Sequence, residues 1–221
     1  MNKYDAAVFD MDGTILDTLK DLAAAMNYGL RAVGYPERTV DEARRFLGNG
    51  AERLMREALP PDTDETTFAA ALAAFKEYYL PHCEDTTKPY PGIADLLRAL
   101  RKSGIKTAVV SNKIDPAVGE LAEKYFPGLL DAAVGERAGV RKKPAPDTVL
   151  TVLEELGIPK SRAVYIGDSE VDVETAENAG LPSIIVTWGF RKREFLETLN
   201  CGAIVDTTEE LAKELGLQSL R

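Results

Sequence analysis

Asp10 and Asp12 stand at the end of the apolar run Ala7-Val8-Phe9, one residue apart, and Gly13 follows at once. Successive side chains of an extended chain alternate between faces, so the two carboxylates point the same way. Gly13 permits a sharp turn directly behind them. Carboxylates paired at the carboxyl end of a strand can hold a metal ion, supply a nucleophile, or work as an acid/base couple. On these residues alone all three chemistries stay open.

Other polar residues also follow apolar runs. Ser111 and Asn112 follow Lys106 to Val110. Gly167-Asp168-Ser169 follows Ala163 to Ile166, with Asp172 in the first turn of the next helix, and the basic run Arg141-Lys142-Lys143 precedes Pro144. Singly, each has an ordinary reading: loop aspartates cap helices, and basic runs are solvated surface. Together they form a set of four carboxylates, a hydroxyl and a lysine at strand ends, where open α/β sheets bind their ligands. Asp10, Asp12, Asp168 and Asp172 brought close would raise one another's pKa unless a cation intervened. A hard divalent ion, Mg²⁺ above all, resolves that conflict and is commonly shared between carboxylates and a substrate phosphate. The Lys143 ammonium and Ser111 hydroxyl then offer phosphoryl oxygens a point charge and a donor.

The elements that must position these groups follow from the apolar pattern. Strands are expected at Ala6 to Phe9, Lys106 to Val110, Ala132 to Val134, Ala163 to Ile166, Ser183 to Val186 and Ala203 to Val205. Most of them are apolar without alternation, as for parallel strands covered on both faces. Helices are expected between them at Ile93 to Lys102, Pro116 to Tyr125, Pro146 to Leu156 and Val171 to Ala179, with Pro near starts and Gly at ends. This alternation predicts an α/β fold, a Rossmann-like parallel sheet with helices on both faces. From Asp17 to Glu84 the pattern is helical only. Leu19, Leu22, Ala23, Met26, Leu30 and Val33 recur at helical spacing, with Asp17 or Thr18 as the expected cap. A second stretch, Val40 to Leu59, breaks near Gly48-Asn49-Gly50, and a third, Ala-rich one starts at Glu65. The expected organisation is a core of residues 1–16 and 86–221 with an α-helical cap domain, 17–85, inserted into it.

Bulk properties narrow the partners. The chain has 221 residues and a net charge of −9, which argues against nucleic acid and membrane surfaces, since both attract basic patches. Cys83 and Cys201 have neither metal nor disulfide spacing and read as reduced thiols of a cytoplasmic protein. The start lacks the apolar stretch of a signal peptide, and no window is long and apolar enough to span a membrane. The expected partner is a small phosphorylated metabolite, bound by a monomer or homodimer.

The order Asp10-x-Asp12-Gly13-Thr14, Ser111-Asn112, Lys143-Pro144, then Gly167-Asp168-Ser169 with Asp172 resembles the four signature motifs of the haloacid dehalogenase superfamily. The match spans nearly the whole chain, and the helical insert is similar to the superfamily's small cap. Phe46 to Ala51, Lys88 to Gly92, Val110 to Lys113 and Val186 to Gly189 resemble phosphoglycolate phosphatases in particular. The resemblance implies that Asp10 attacks phosphorus and becomes an aspartyl phosphate, while Asp12 protonates the leaving oxygen and then activates water. It implies Mg²⁺ held by the Asp10 carboxylate, the Asp12 backbone carbonyl and Asp168, with Asp172 behind them. Ser111, Asn112 and Lys143 would bind the phosphoryl group. Asp12 favours phosphoryl transfer over dehalogenation, which needs no acid there. A phosphonate-cleaving member would need a cap lysine, and Lys20 sits without reason to serve. Asn49, Gly50 and Arg53 are the cap's candidate substrate contacts, although a solvated helix arginine is the plain reading of Arg53. His82, Trp188 and Phe190 read as structural. A phosphomutase of the β-phosphoglucomutase type, a pyrophosphatase, or a sugar or nucleotide phosphatase shares much of the pattern.

Overall fold

Every residue of the first strand, β1 (Ala6–Phe9), is fully buried, in keeping with its uninterrupted apolar sequence. The computed structural model describes residues 2–217. Its further strands in chain order are β2 (Leu16–Asp17), β3 (Lys88–Pro89), β4 (Lys106–Ile114), β5 (Ala132–Glu136), β6 (Ala163–Gly167), β7 (Ser183–Val186) and β8 (Ala203–Val205). Six of them form one sheet in the order β5-β4-β1-β6-β7-β8, with every pairing parallel. The short β2 and β3 pair separately. The sheet and the helices around it make the Rossmann-like α/β fold expected from the sequence.

Register explains why the polar motifs converge. Phe9 lies opposite Val109 on one side and Ile166 on the other. Asp10 therefore emerges level with Val110 and Gly167, and its N–H still donates to the Ile166 carbonyl at 2.8 Å. Ser111, still within β4, and Asp168, just beyond β6, follow one residue later. The chain runs from β1 to β4 and β5 on one flank and then to β6 on the other. This places the carboxyl end of β1 at the topological switch point, where the crevice of such a sheet opens.

The chain divides into two units, at Leu16–Asp17 and at Lys88–Pro89. The second division falls a little beyond the expected 85/86 boundary, because Asp21 holds Thr86 and Thr87 within the helical unit. The buried Asp21 carboxylate accepts from both backbone N–H groups and both hydroxyls, at 2.5 to 3.0 Å.

The helical unit contains α1 (Leu19–Ala32), α2 (Val40–Phe46), α3 (Gly50–Ala58) and α4 (Glu65–His82). Small residues let α1 and α4 approach closely: a Cβ on Gly29 would meet the Ala71 carbonyl oxygen at 2.7 Å. Thr39 and Glu42 form a capping box on α2, and Asp64 caps α4 by accepting from the Thr67 N–H. The expected side-chain cap on α1 is not made. Thr18 stands at the N-cap position fully buried, with φ −108° and ψ 3°, outside the extended conformation that aims a hydroxyl at the first turn.

Around the sheet lie α5 (Ile93–Lys102), α6 (Asp115–Tyr125), α7 (Asp147–Glu155), α8 (Glu170–Ala179), α9 (Arg193–Leu196) and α10 (Thr208–Glu214). The last two lie beyond the helices read from the sequence. One buried layer joins Ala6, Val8, Val110 and Tyr165 of the sheet to Val149, Val152 and Leu153 of α7 and Ala176 of α8. That layer fixes α8 against β6, and so fixes the loop from which Asp168 and Asp172 project.

Candidate active site

Lys143 is the centre of the polar cluster. Its ammonium lies 2.8 Å from Asp10 Oδ1, 2.8 Å from Asp172 Oδ1 and 2.9 Å from the Tyr165 hydroxyl. Its side chain is 3% exposed, so all three of its donors are directed at protein oxygens. Burial disfavours the charged amine, but Asp10 and Asp172 outweigh it and hold the Lys143 pKa well above its ordinary value. Tyr165 donates onward to the Val110 carbonyl at 3.0 Å, and burial pushes its phenol well up. The segment bearing Lys143 is held by Asn112, whose side-chain amide donates to the Lys143 carbonyl at 3.0 Å.

Asp172 is committed through both oxygens. Opposite the Lys143 contact, Oδ2 accepts from the Asp168 and Ser169 N–H groups, each at 3.1 Å, and from the Ser169 hydroxyl at 2.8 Å. This is also the capping box that starts α8, so a helix cap and a site residue are the same side chain.

Asp168 is fixed by its surroundings. The Phe190 N–H donates to Oδ2 at 2.6 Å, and the Thr14 hydroxyl approaches Oδ1 at 3.5 Å. Two glycines make room for it. A Cβ on Gly13, which has φ +84°, would come within 2.5 Å of an Asp168 oxygen, and one on Gly189 within 2.3 Å. Only glycine tolerates both the backbone angle and the proximity at position 13.

Ligand oxygens of Asp10, Asp168 and Asp172 all lie within 4.8 Å of one another, and all three residues are buried. Burial raises the Asp10 carboxyl to about 6; Lys143 opposes this, while Asp172 and Asp12 add to it. Burial also raises Asp168 well above its usual range, helped by Asp172 and Asp10. Lys143 bridges Asp10 and Asp172, and Arg191, which acts on Asp168, is itself paired with Glu170, so the three buried carboxylates remain short of positive charge. The donor set is oxygen only, which suits a hard divalent cation. Asp10 and Asp168 are the residues better able to hold one: Asp172 accepts three donors on Oδ2 and the Lys143 ammonium on Oδ1, whereas Asp168 Oδ1 has, among the described residues, only the Thr14 hydroxyl at 3.5 Å.

Asp12 belongs to a second pair. Lys113 Nζ donates to both Asp12 oxygens, at 2.7 and 3.0 Å, and the Lys113 N–H donates to Ser111 Oγ at 3.3 Å. Ser111, Asn112 and Lys113 are all buried at the end of β4. The structure thus brings together Asp10, Asp12, Ser111, Asn112, Lys143, Asp168 and Asp172. It gives the Asn112 side chain a task on the protein itself, since its amide holds the Lys143 loop.

Asn49, Gly50 and Arg53 lie in the helical unit at the start of α3. The Arg53 guanidinium pairs with Glu57 one turn along, the ordinary fate of a surface helix arginine. His82 stacks on Tyr78 and bonds Asp85 through Nδ1 at 2.8 Å, which agrees with a structural reading. Trp188 Nε1 donates to the Thr14 carbonyl at 3.0 Å, anchoring the loop behind Asp12. Three contributors were not visible as such in the sequence. Tyr165 sits inside an apolar run and the Phe190 contribution is a backbone N–H, so neither carries a signal. Lys113 had one: it follows Ser111 by two residues, the spacing that shares a face.

A family model for haloacid dehalogenase-like hydrolases matches residues 7–186. The chain is 32% identical to the phosphoglycolate phosphatase of Escherichia coli (strain K12), covering 98% of this chain and 96% of that one. It is 35% identical to the phosphoglycolate phosphatase of Aquifex aeolicus (strain VF5), with coverages of 84% and 85%. A crystal structure from Lactobacillus delbrueckii subsp. bulgaricus, proposed to be a phosphoglycolate phosphatase, superposes with a TM-score of 0.91 at 41% identity, covering 98% and 100%. The family match begins in β1 and ends with β7, taking in every strand that carries a site residue. The chain belongs to the haloacid dehalogenase-like hydrolases, and among them it is a phosphatase.

Proposed function

We propose that this phosphatase is a Mg²⁺-dependent phosphomonoesterase that works through an aspartyl phosphate on Asp10, with 2-phosphoglycolate as its substrate. The observation that carries the reading is the charge-deficient cluster of Asp10, Asp168 and Asp172, two of whose members Lys143 bridges. The substrate assignment is supported by the curated relatives named above, each a phosphoglycolate phosphatase at 32 to 35% identity.

In this reading Asp10 and Asp168 hold Mg²⁺ through their carboxylates and Asp12 through its backbone carbonyl. The bound ion supplies positive charge to the phosphoryl oxygens and to the attacking carboxylate. Lys143 keeps Asp10 ionised and oriented, so that a carboxylate oxygen can attack phosphorus. The bond between phosphorus and the ester oxygen breaks, and the leaving oxygen takes a proton from Asp12. Water then attacks phosphorus, Asp12 accepts the proton, and inorganic phosphate departs with Asp10 restored. Ser111, Lys143 and the backbone around Asn112 stabilise the charge that builds on the phosphoryl oxygens. Asp172 orients Lys143. Residues 1–16 and 89–221 act as the catalytic core, and 17–88 as a cap in which Asn49, Gly50 and Arg53 read the substrate. We place this activity in the cytoplasm on the strength of its thiol usage. No helix among the described residues is long and apolar enough to cross a membrane.

The test is a Mg²⁺ assay across 2-phosphoglycolate, pyrophosphate, nucleotides and sugar phosphates, with chelator controls. Preferred phosphate release from 2-phosphoglycolate, lost with chelator and restored by Mg²⁺, is the expected result. Isomerisation of glucose 1-phosphate without phosphate release would instead make the protein a mutase.

A further inference from the structure

Each of the two strand-end carboxylates has its own lysine. Asp10 is held by Lys143 and Asp12 by Lys113, which no part of the mechanism above uses. The Lys113 side chain is 1% exposed although Asp12's is 17% exposed, so the ammonium is buried beneath the carboxylate. A buried ammonium persists only where it is paired. Here both oxygens of one carboxylate accept from one nitrogen, at 2.7 and 3.0 Å. A single contact would let the Asp12 carboxyl pivot about its terminal bond; two contacts from one atom set its plane. The grip is anchored at its base, because the Lys113 N–H donates to Ser111 Oγ on β4, the strand beside β1.

We infer that Lys113 is a positioning residue for Asp12, fixing the direction in which that carboxyl meets the ester oxygen of the substrate. The inference rests on the reading of Asp12 as the proton donor of a phosphomonoesterase. In the step concerned, the bond between phosphorus and the ester oxygen breaks, its electron pair stays on that oxygen, and the proton on one Asp12 oxygen moves to it. The other Asp12 oxygen keeps its Lys113 contact throughout. Lys113 makes and breaks no covalent bond. Its effect is therefore tied to how much the leaving group needs the proton.

That dependence supplies a test that a merely structural lysine would fail. An alkyl ester such as 2-phosphoglycolate leaves as a poor alkoxide and needs protonation; p-nitrophenyl phosphate leaves as a stable anion and does not. General acid catalysis contributes ~10²–10⁴-fold, so Lys113→Met should lower kcat/KM, which reports the phosphorylation half-reaction, by about 10²-fold on 2-phosphoglycolate. On p-nitrophenyl phosphate the same variant should lose less than ~5-fold in kcat/KM, because that leaving group needs no help from a general acid and the later attack of water is not part of kcat/KM. Lys113→Arg, which keeps the charge and two donors, should recover part of the loss. Added to Asp12→Asn, Lys113→Met should cost nothing further. Should Lys113→Met fail to fold by circular dichroism, Lys113→Arg and Lys113→Gln replace it in the same comparison. Equal losses of kcat/KM on both substrates, or a further loss in the Asp12→Asn background, would overturn the inference. If wild-type protein with Mg²⁺ turned over neither substrate, the phosphomonoesterase reading itself would fall. If Asp12→Asn showed the leaving-group selectivity and the Lys113 variants did not, only the role of Lys113 would fall.

Discussion

Lys143 Nζ lies 2.8 Å from Asp10 Oδ1 and 2.8 Å from Asp172 Oδ1, bridging two of the three buried carboxylates Asp10, Asp168 and Asp172. The Asp10 contact joins residues 133 positions apart in the chain. It bears on the charge state of the residue proposed to attack phosphorus, and it only partly offsets the burial of that carboxyl.

Without a divalent ion, Asp10 should penalise folding as pH rises. Its carboxyl has a pKa of about 6 when folded against a reference of 3.8. Between those values the unfolded chain has released the proton and the folded chain has kept it, so stability falls with rising pH across the window. The full difference corresponds to about 3 kcal/mol, at about 1.4 kcal/mol for each tenfold change in proton affinity. Urea unfolding in chelator from pH 4 to pH 7 should show wild type losing stability relative to Asp10→Asn. A pH-independent gap between the two would contradict the burial-driven rise.

Lys143→Met should be damaging in two ways. It strips the counter-charge from Asp10 and Asp172, and breaking a buried pair costs ~3–5 kcal/mol. It also removes the positive charge proposed to face the phosphoryl group, an electrostatic loss of about 10²–10³ in kcat. Lys143→Arg should rescue little, because a planar fork cannot reproduce contacts to Asp10, Asp172 and Tyr165 from one nitrogen. Unfolding curves and steady-state kinetics check both halves, and near-wild-type activity in either variant would count against the arrangement.

Gly13→Ala should act on Asp168 without touching any substrate. The new Cβ would stand 2.5 Å from an Asp168 oxygen on a backbone with φ +84°, so the carboxylate must move. With Asp168 holding the ion as proposed, displacing its carboxylate should weaken divalent affinity by about 10–100-fold. Titration of Mg²⁺ against activity gives the apparent affinity, and an unchanged midpoint would remove Asp168 from the cation site.

Much of this architecture was legible in the sequence because it depends on local pattern. Uninterrupted apolar runs marked the parallel strands, and polar residues immediately after those runs marked the crevice. The family motifs then linked Asp10, Ser111, Lys143 and Asp168 before any register was known. What escaped was non-local or carried by the backbone. Tyr165 read as core because a phenol in an apolar run has no signature until Lys143 is found beside it. The Phe190 N–H that holds Asp168 is a main-chain group, which residue type does not report. Thr18 looked like a side-chain cap, but it stands at the N-cap position with φ −108° and ψ 3° and makes no cap bond, a backbone conformation that residue type does not report. Asp172 was legible as a helix-start acid, yet its link to Lys143 needed the three-dimensional fold.

The central claim is that Asp10 becomes covalently phosphorylated. The most direct measurement is a rapid acid quench of wild-type protein turning over 2-phosphoglycolate with Mg²⁺, followed by borohydride reduction and peptide mass mapping. An acyl phosphate at position 10 is reduced to homoserine, so homoserine is expected at that residue, present only in substrate-treated wild type and absent from Asp10→Asn. Full turnover by Asp10→Asn, or substrate-dependent label at any other carboxylate, would contradict it.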